Sequence, residues 1–119
     1  MFRESLMKVV DNVEGGVAGL LMGFDGIAVD TYRPATSSFD INTIGMEFSF
    51  ILGQVRKAAE VLEVGGVQEV AIRAEQVSII VRILSHDYFI ALALAPQGNF
   101  GKGRFLLRQV APQIQNELA

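Results

Sequence analysis

The sequence predicts an α/β (α+β) sandwich, in which antiparallel strands are covered by helices on both faces. A long apolar helical segment spans residues 40–65, and two strands at 76–84 and 88–95 carry apolar residues on both faces. The connections between these strands are so short that antiparallel pairing is the natural choice. Since 119 residues is the size of one domain, we expect residues 1–119 to form a single unit.

Composition and charge exclude several classes of function. Half of the residues are apolar, which is high for a small monomer and predicts that some apolar surface is buried between chains. Ten basic and thirteen acidic residues without a basic run favour neither nucleic acid nor an anionic membrane as a partner. The lack of Cys excludes disulfides and thiolate chemistry. Without a leader pattern or a run of membrane-spanning length, we expect a cytoplasmic protein.

The first third of the chain predicts a short helix and a hairpin. Apolar residues recur at helical spacing over residues 2–14, and two apolar runs at 17–24 and 27–33 flank Asp25-Gly26. An Asp-Gly pair between such runs predicts a two-residue type I′ turn. Three glycines of the first strand predict close approach of its backbone to a helix, with a bound ligand as the less favoured alternative. They are Gly16, Gly19 and Gly23.

The long helix is predicted to begin after an N-cap at Asp40 or Asn42 and to end at Gly65-Gly66. At roughly 100° per residue, one apolar stripe should face the sheet. This predicted core stripe comprises Ile44, Phe48, Ile51, Val55, Ala59 and Leu62.

A second apolar face lies almost opposite the core stripe. It carries Met46, Phe50 and Gly53, with Lys57 at its far end, where a monomeric domain would normally present charges. We interpret this face as a contact surface for another chain. The alternatives are that Phe50 lies under a neighbouring loop or that the helix is buried all round.

The second half of the chain predicts a three-stranded meander at residues 67–74, 76–84 and 88–95. The first of these strands has a mixed, charged face that suits an edge of the sheet. A final helix is predicted at 103–118, with Pro112 expected to kink or restart it. Its inward-facing residues are predicted to be Phe105, Leu106, Val110, Ile114 and Leu118.

No residue pattern predicts catalysis, a metal site or a bound cofactor. The glycine-rich stretch at residues 98–103 lacks the spacing and the hydroxyl of a Walker loop, so it predicts a turn and helix start, with anion binding as a minor alternative. His86 is interpreted as a solvated turn residue, because a run of adjacent Ser, His and Asp does not form a triad. Asp25 is interpreted as a turn former and Asp30 as an exposed strand residue.

Two motifs add a family resemblance to this order of elements. At residues 20–29 an apolar strand runs into Asp25-Gly26 and then into a second apolar strand, which resembles the hairpin of the roadblock/dynein light chain family. Asn99, Gly101 and Arg104 resemble the Asn-x-Gly-x-x-Arg motif before the last helix of that family. Together with a long middle helix ending in Gly-Gly, these features resemble bacterial, MglB-like members over essentially the whole chain.

The resemblance implies a roadblock/profilin-like fold, with a five-stranded antiparallel sheet, the long helix on one face and the two terminal helices on the other. It also implies a homodimer or heterodimer joined through the long helix and the adjoining edge strand. We expect the following residues at the dimer or partner interface: Met46, Ser49, Phe50, Gly53, Gln54, Lys57, Val70, Ala71 and Ile72.

Bacterial members of the family commonly act with small Ras-like GTPases. The resemblance therefore implies a non-enzymatic, homodimeric regulator or scaffold of such a GTPase, which activates hydrolysis or modulates exchange. One alternative is a small-molecule sensor or structural adaptor of profilin-like fold, and the sensor would require a cavity at Gly19, Gly23 and the hairpin. The other is an enzyme, which would require turnover that depends on Asp30.

Overall fold

In a computed structural model, which describes residues 2–119, one antiparallel sheet lies between two layers of helix. The helices are α1 (Phe2–Asp11), α2 (Ile41–Leu62) and α3 (Phe100–Leu118). The strands are β1 (Gly16–Gly23), β2 (Ala28–Tyr32), β3 (Glu69–Arg73), β4 (Ser78–Ile83) and β5 (Tyr88–Leu94). The spatial order is β2-β1-β5-β4-β3, so β2 and β3 are the edges. The predicted fold class and the edge position of β3 are confirmed.

Side-chain alternation along the central strands builds two separate cores. One core joins the sheet to α1 and α3, and its members on β5 are Ile90, Leu92 and Leu94. The other lies beneath α2, and its members on β5 are Phe89, Ala91 and Ala93. Helices on both faces therefore explain why this strand is apolar at every position, as the sequence predicted.

The backbone of β1 approaches α1 closely. A Cβ at Gly19 would lie 3.0 Å from Val10 Cγ2, and a Cβ at Gly16 would collide with the Val10 carbonyl oxygen. The predicted approach to a helix is confirmed at these two glycines, and α1 fills the space beside Gly19 that a sensor cavity would need. Gly23 lies instead against its own turn, where a Cβ would be 2.6 Å from Asp25 Oδ1.

The β1–β2 turn is a three-residue loop, and the predicted type I′ turn was wrong. Gly23 N donates to the Ile27 carbonyl at 3.0 Å, and Gly26 N donates to the Gly23 carbonyl at 3.0 Å. Only Gly26 takes a positive φ in this turn, whereas a type I′ turn needs one at Asp25 as well. Asp25 Oδ1 accepts a hydrogen bond from Ile27 N at 3.0 Å, which confirms Asp25 as a turn former and stabilises the observed loop.

The ends of α2 are set by two acidic residues. Asp40 is the N-cap, because its Oδ1 accepts a hydrogen bond from Thr43 N at 3.3 Å. Glu63 is the C-cap in the left-handed conformation, with a φ of 55°. The helix therefore ends at Leu62, and the predicted C-cap at Gly65-Gly66 was wrong, since those residues lie in the following loop.

The face of α2 that meets the sheet differs from the predicted core stripe. Its buried residues are Ile41, Gly45, Phe48, Leu52 and Ala59. Of the predicted stripe, Phe48 and Ala59 are buried, Ile44 and Val55 are half-buried, and Ile51 and Leu62 are exposed. The predicted rotation of α2 about its axis was wrong, because the helix meets β1 at Gly45, where a Cβ would collide with Leu20. A glycine has no apolar side chain, so it did not count towards the predicted stripe.

The terminal helices also differ from prediction at their ends. α1 ends at Asp11 rather than residue 14, and α3 begins at Phe100 rather than residue 103, with Asn99 as its N-cap. In α3, Leu106, Val110 and Ile114 are buried as predicted, and the helix continues through Pro112. Phe105 was placed wrongly, since it is 57% exposed. Leu107 is buried in its place, because α3 rests on the sheet through Gly103 and Leu107.

Candidate protein-interaction surface

The outward side of α2 is apolar in the middle. Met46 is 59% exposed and Phe50 is 67% exposed, and they lie one helical turn apart. Gly53, Gln54 and Lys57 continue the exposed side, and a Cβ at Gly53 would meet no atom within 4 Å. We call these five residues the helix face. Ser49 is half-buried, and its Oγ donates to the Met46 carbonyl at 2.6 Å.

The strand β3 presents a free backbone edge. It pairs with β4 on one side and is the last strand of the sheet on the other. Val70 is half-buried against the core beneath α2, whereas Ala71 and Ile72 are exposed. An edge strand with unpaired N–H and C=O groups is a template for pairing with another chain.

A groove of about 280 Å³ joins the helix to this edge. It exists because α2 packs on β1 and β2, which leaves the β3 half of the same sheet face uncovered. Its walls are mainly apolar, with Ile44, Phe48 and Ile51 from α2 and Ile72 and Ile79 from the sheet. The groove thus lies between α2 and β3, which carry the two predicted interface segments, and Ile72 is the predicted interface residue among those that line it.

Comparison with solved structures gives relatives that cover nearly the whole chain. MglC from Myxococcus xanthus is 46% identical over 98% of both chains, with a TM-score of 0.71. A Roadblock/LC7 domain from Streptomyces avermitilis has a TM-score of 0.85 at 13% identity, over 98% of this chain and 96% of that one. The gliding protein MglB from Thermus thermophilus has a TM-score of 0.86 at 15% identity, over 98% of this chain and 88% of that one.

The chain belongs to the Roadblock/LC7 family. Its sequence is far more similar to that of MglC than to that of MglB, although its backbone superposes better on MglB. Neither the family models nor the curated proteins gave a match.

Two residues of this roadblock domain's groove were missed as interface candidates. Ile44 and Ile51 were assigned to the core, yet Ile51 is exposed and both line the groove. Glu47 lies between them on the same wall. Because Glu47 is charged and lies one helical turn from each isoleucine, it indicates in the sequence that this side of α2 is accessible.

The end of α2 carries a second exposed apolar group that the sequence did not identify. Val61, Leu62 and Val64 are all exposed, Val61 at 81%. They flank the left-handed C-cap Glu63 in sequence, where the helix ends. A shallow depression of about 520 Å³ lies beside this end and is bounded in part by Arg56 and His86.

The titratable groups near the surface have structural roles. His86 is exposed in the β4–β5 turn, and its Nδ1 accepts from Arg56 Nη2 at 3.1 Å. Asp30 is half-buried rather than exposed, and its Oδ1 accepts from Thr31 N at 2.9 Å. Hydrogen bonds from the Thr43 hydroxyl and then from its backbone N–H lower the pKa of Asp40.

The glycine-rich stretch at residues 98–103 begins α3. Asn99 Oδ1 accepts from Lys102 N at 3.0 Å, which satisfies one of the free N–H groups at the helix start. Within residues 2–119, no three His, Asp or Glu side chains converge as metal ligands would. Over the same residues, no helix has both the length and the apolar character that crossing a bilayer demands.

Proposed function

We propose that this roadblock protein is a non-enzymatic regulator or scaffold that acts as a homodimer on a small Ras-like GTPase. The observation that carries the proposal is the apolar groove between α2 and the free edge of β3. A second copy would cover the groove with its own α2 and continue the sheet through its own β3.

The exposed side chains support self-association. Met46 and Phe50 on α2 and Ile72 on β3 expose apolar surface on the two elements that border the groove, and large exposed apolar surfaces mark interaction sites on small proteins. Val70, Ala71 and Ile72 would form the seam between the two sheets, and the helix face with Ser49 would form the helix contact. All nine predicted interface residues lie on α2 or β3.

The family supports the choice of partner. MglC is 46% identical to this chain, and one structural relative is named a gliding protein, so we propose that the chain acts in an Mgl-type system of a bacterial cell. The GTPase is the partner that the family resemblance implies, and we propose a cytoplasmic location as well. The paired α2 helices would provide the docking platform, and the proposal assigns no catalytic residue.

Self-association is tested by Phe50→Asp. A carboxylate at this position would have to be buried without a partner in the apolar seam, so we expect a monomer in place of a dimer by multi-angle light scattering. The matched control is Phe105→Asp on α3, which removes another exposed aromatic side chain, on the other side of the sheet. A Phe50→Asp mass equal to wild type, or the same loss in the control, contradicts the assigned interface.

The GTPase is tested by affinity capture from lysate of the native host. The tagged chain is incubated with GTPγS or with GDP, and retained proteins are identified by mass spectrometry. A Ras-like GTPase enriched in one nucleotide state supports the proposal, and its purified form then allows hydrolysis and exchange to be measured with and without the roadblock protein. Retention of no GTPase in either state contradicts the proposal.

A further inference from the structure

A pocket rich in arginine lies on the face of the sheet opposite α2. Arg82 on β4 and Arg104 and Arg108 on α3 surround a space of about 280 Å³, with Gln68 and Glu69 completing its wall. We call this the arginine pocket. Its three arginines come from positions 82 to 108, so no run of basic residues marks the site in the sequence.

The guanidinium groups keep most of their donors free. Arg104 Nε lies 3.1 Å from Glu69 Oε1 and 3.0 Å from Oε2, which fixes the side chain, and its two Nη groups make no hydrogen bond with any of residues 2–119. Arg82 and Arg108 make no side-chain hydrogen bond or ion pair with any of residues 2–119. Arg82 is half-buried, whereas Arg108 is exposed.

The local charge is opposite to that of the whole chain. Three guanidinium groups and one carboxylate give the pocket a net charge of +2, in a chain whose net charge is −3. A guanidinium stays charged at any physiological pH, and its planar fork matches the two oxygens of a carboxylate. The pocket is therefore complementary to carboxylates.

We propose that the arginine pocket binds an acidic segment of a partner protein, in which carboxylates engage Arg82 and Arg108 and an apolar side chain rests on Phe105. Phe105 is 57% exposed and precedes Arg108 by three residues, so it lies beside the pocket on the outward side of α3. The neighbouring aromatic surface suits a peptide, and the Glu69 carboxylate disfavours a doubly charged phosphate. The site is on the α3 side of the sheet and does not depend on the proposed dimer.

Binding is tested with a defined probe, the acetylated and amidated peptide Glu-Leu-Glu-Glu-Leu-Glu. In a titration of the isotope-labelled full chain followed by NMR, we expect saturable shifts of the Nε–H signals of Arg82, Arg104 and Arg108, and none of Arg33. The peptide with Gln in place of each Glu is the neutral control, and inorganic phosphate is the alternative anion. No shifts, equal shifts of all arginines, or saturation by phosphate in preference to the peptide overturns the proposal.

Affinity is measured by fluorescence anisotropy of the labelled peptide. We expect Arg82→Gln/Arg108→Gln to bind about fivefold to tenfold more weakly, since two charge pairs at a partly exposed site are lost. The double variant Lys8→Gln/Arg33→Gln removes the same charge elsewhere and should bind within about twofold of wild type. Arg108→Glu, at an exposed position, gives a second test if the first variant folds poorly. Equal weakening in the Lys8/Arg33 control, or wild-type affinity in both pocket variants, overturns the proposal.

Discussion

Arg56 Nη2 lies 2.9 Å from the carbonyl oxygen of His86, which ties α2 to the β4–β5 turn. The same guanidinium lies 3.9 Å from the ring centroid of Phe24 in the β1–β2 turn. Phe24 in turn contacts Phe89 of the buried core, with 5.3 Å between the ring centroids. One side chain therefore links the long helix to two turns at the same end of the sheet.

Arg56→Ala should lower the free energy of unfolding by about 1–2 kcal/mol, because it removes a cation–π contact and a charged hydrogen bond at a half-buried position. Arg56→Lys should recover only part of the lost stability. A lysine ammonium group lacks the planar guanidinium that stacks on Phe24 and at the same time hydrogen-bonds to His86. Urea unfolding at one protein concentration measures both variants. Glu60→Ala, one turn along the exposed side of α2, is the control and should change stability by less than about 0.5 kcal/mol. A similar loss in both alanine variants would show that the link contributes nothing specific.

The two long helices begin with caps of different chemistry, and this difference predicts a pH dependence. Asp40 caps α2 with a carboxylate whose pKa is lowered by the Thr43 hydrogen bonds, whereas Asn99 caps α3 with a neutral amide. A lowered native pKa means that the stabilisation by Asp40 is complete above its unfolded-state pKa and is lost as pH falls through its native pKa. Asp40→Ala should therefore destabilise the protein at neutral pH, and the difference from wild type should shrink below the ordinary range of aspartate pKa values.

Asn99→Ala provides the matched control for the Asp40 variant. It should lower the free energy of unfolding by about 1 kcal/mol at neutral and at acidic pH alike, because its amide does not titrate. Urea titrations of wild type and both variants over the acidic pH range give the difference in free energy of unfolding between each variant and wild type. If the Asp40→Ala difference stayed constant down to the lowest pH, ionisation of Asp40 would have no part in capping α2.

Local patterns predicted which elements form, and packing decided their phase and their ends. The alternation of side chains along β4 and β5, together with the order of elements, was enough to predict the sheet and its two helical layers. Each such pattern is a property of one short segment. The end of α2 was predicted wrongly at Gly65-Gly66, because Glu63 takes the left-handed conformation in spite of its Cβ. The residue at which a helix ends in this way depends on tertiary contacts, and a pattern of glycines in the local sequence carries no information about them.

Only part of the candidate interaction surface was predicted, because the rest of it depends on packing between segments. The outward direction of Met46 and Phe50 follows from helical spacing alone, and both side chains are exposed. The groove between α2 and β3 requires the lateral position of α2 on the sheet, which is set where Gly45 meets β1. Ile51 was therefore assigned to the core when it lines the groove. The arginine pocket likewise combines β3, β4 and α3, and no single segment reveals it.

Two glycines of α2 allow effects on folding and effects on association to be tested separately. A Cβ at Gly45 would collide with Leu20 and lie 2.9 Å from Met22 Cε, so Gly45→Ala should destabilise the fold by about 1–3 kcal/mol. A Cβ at Gly53 would meet nothing within 4 Å, so Gly53→Ala should stabilise the single chain by about 0.5–1 kcal/mol through its better helix propensity.

Gly53→Ala should at the same time weaken the proposed dimer. If the helix face packs against a second copy, a methyl group at its smallest residue separates the two helices, and we expect the dimer dissociation constant to rise about tenfold or more. Sedimentation at several protein concentrations measures this constant, and urea unfolding under dilute conditions measures the stability of the single chain. Because the variant is expected to fold better than wild type, misfolding would not explain a loss of dimer. An unchanged dissociation constant would place Gly53 outside the interface and move the contact towards the groove and β3.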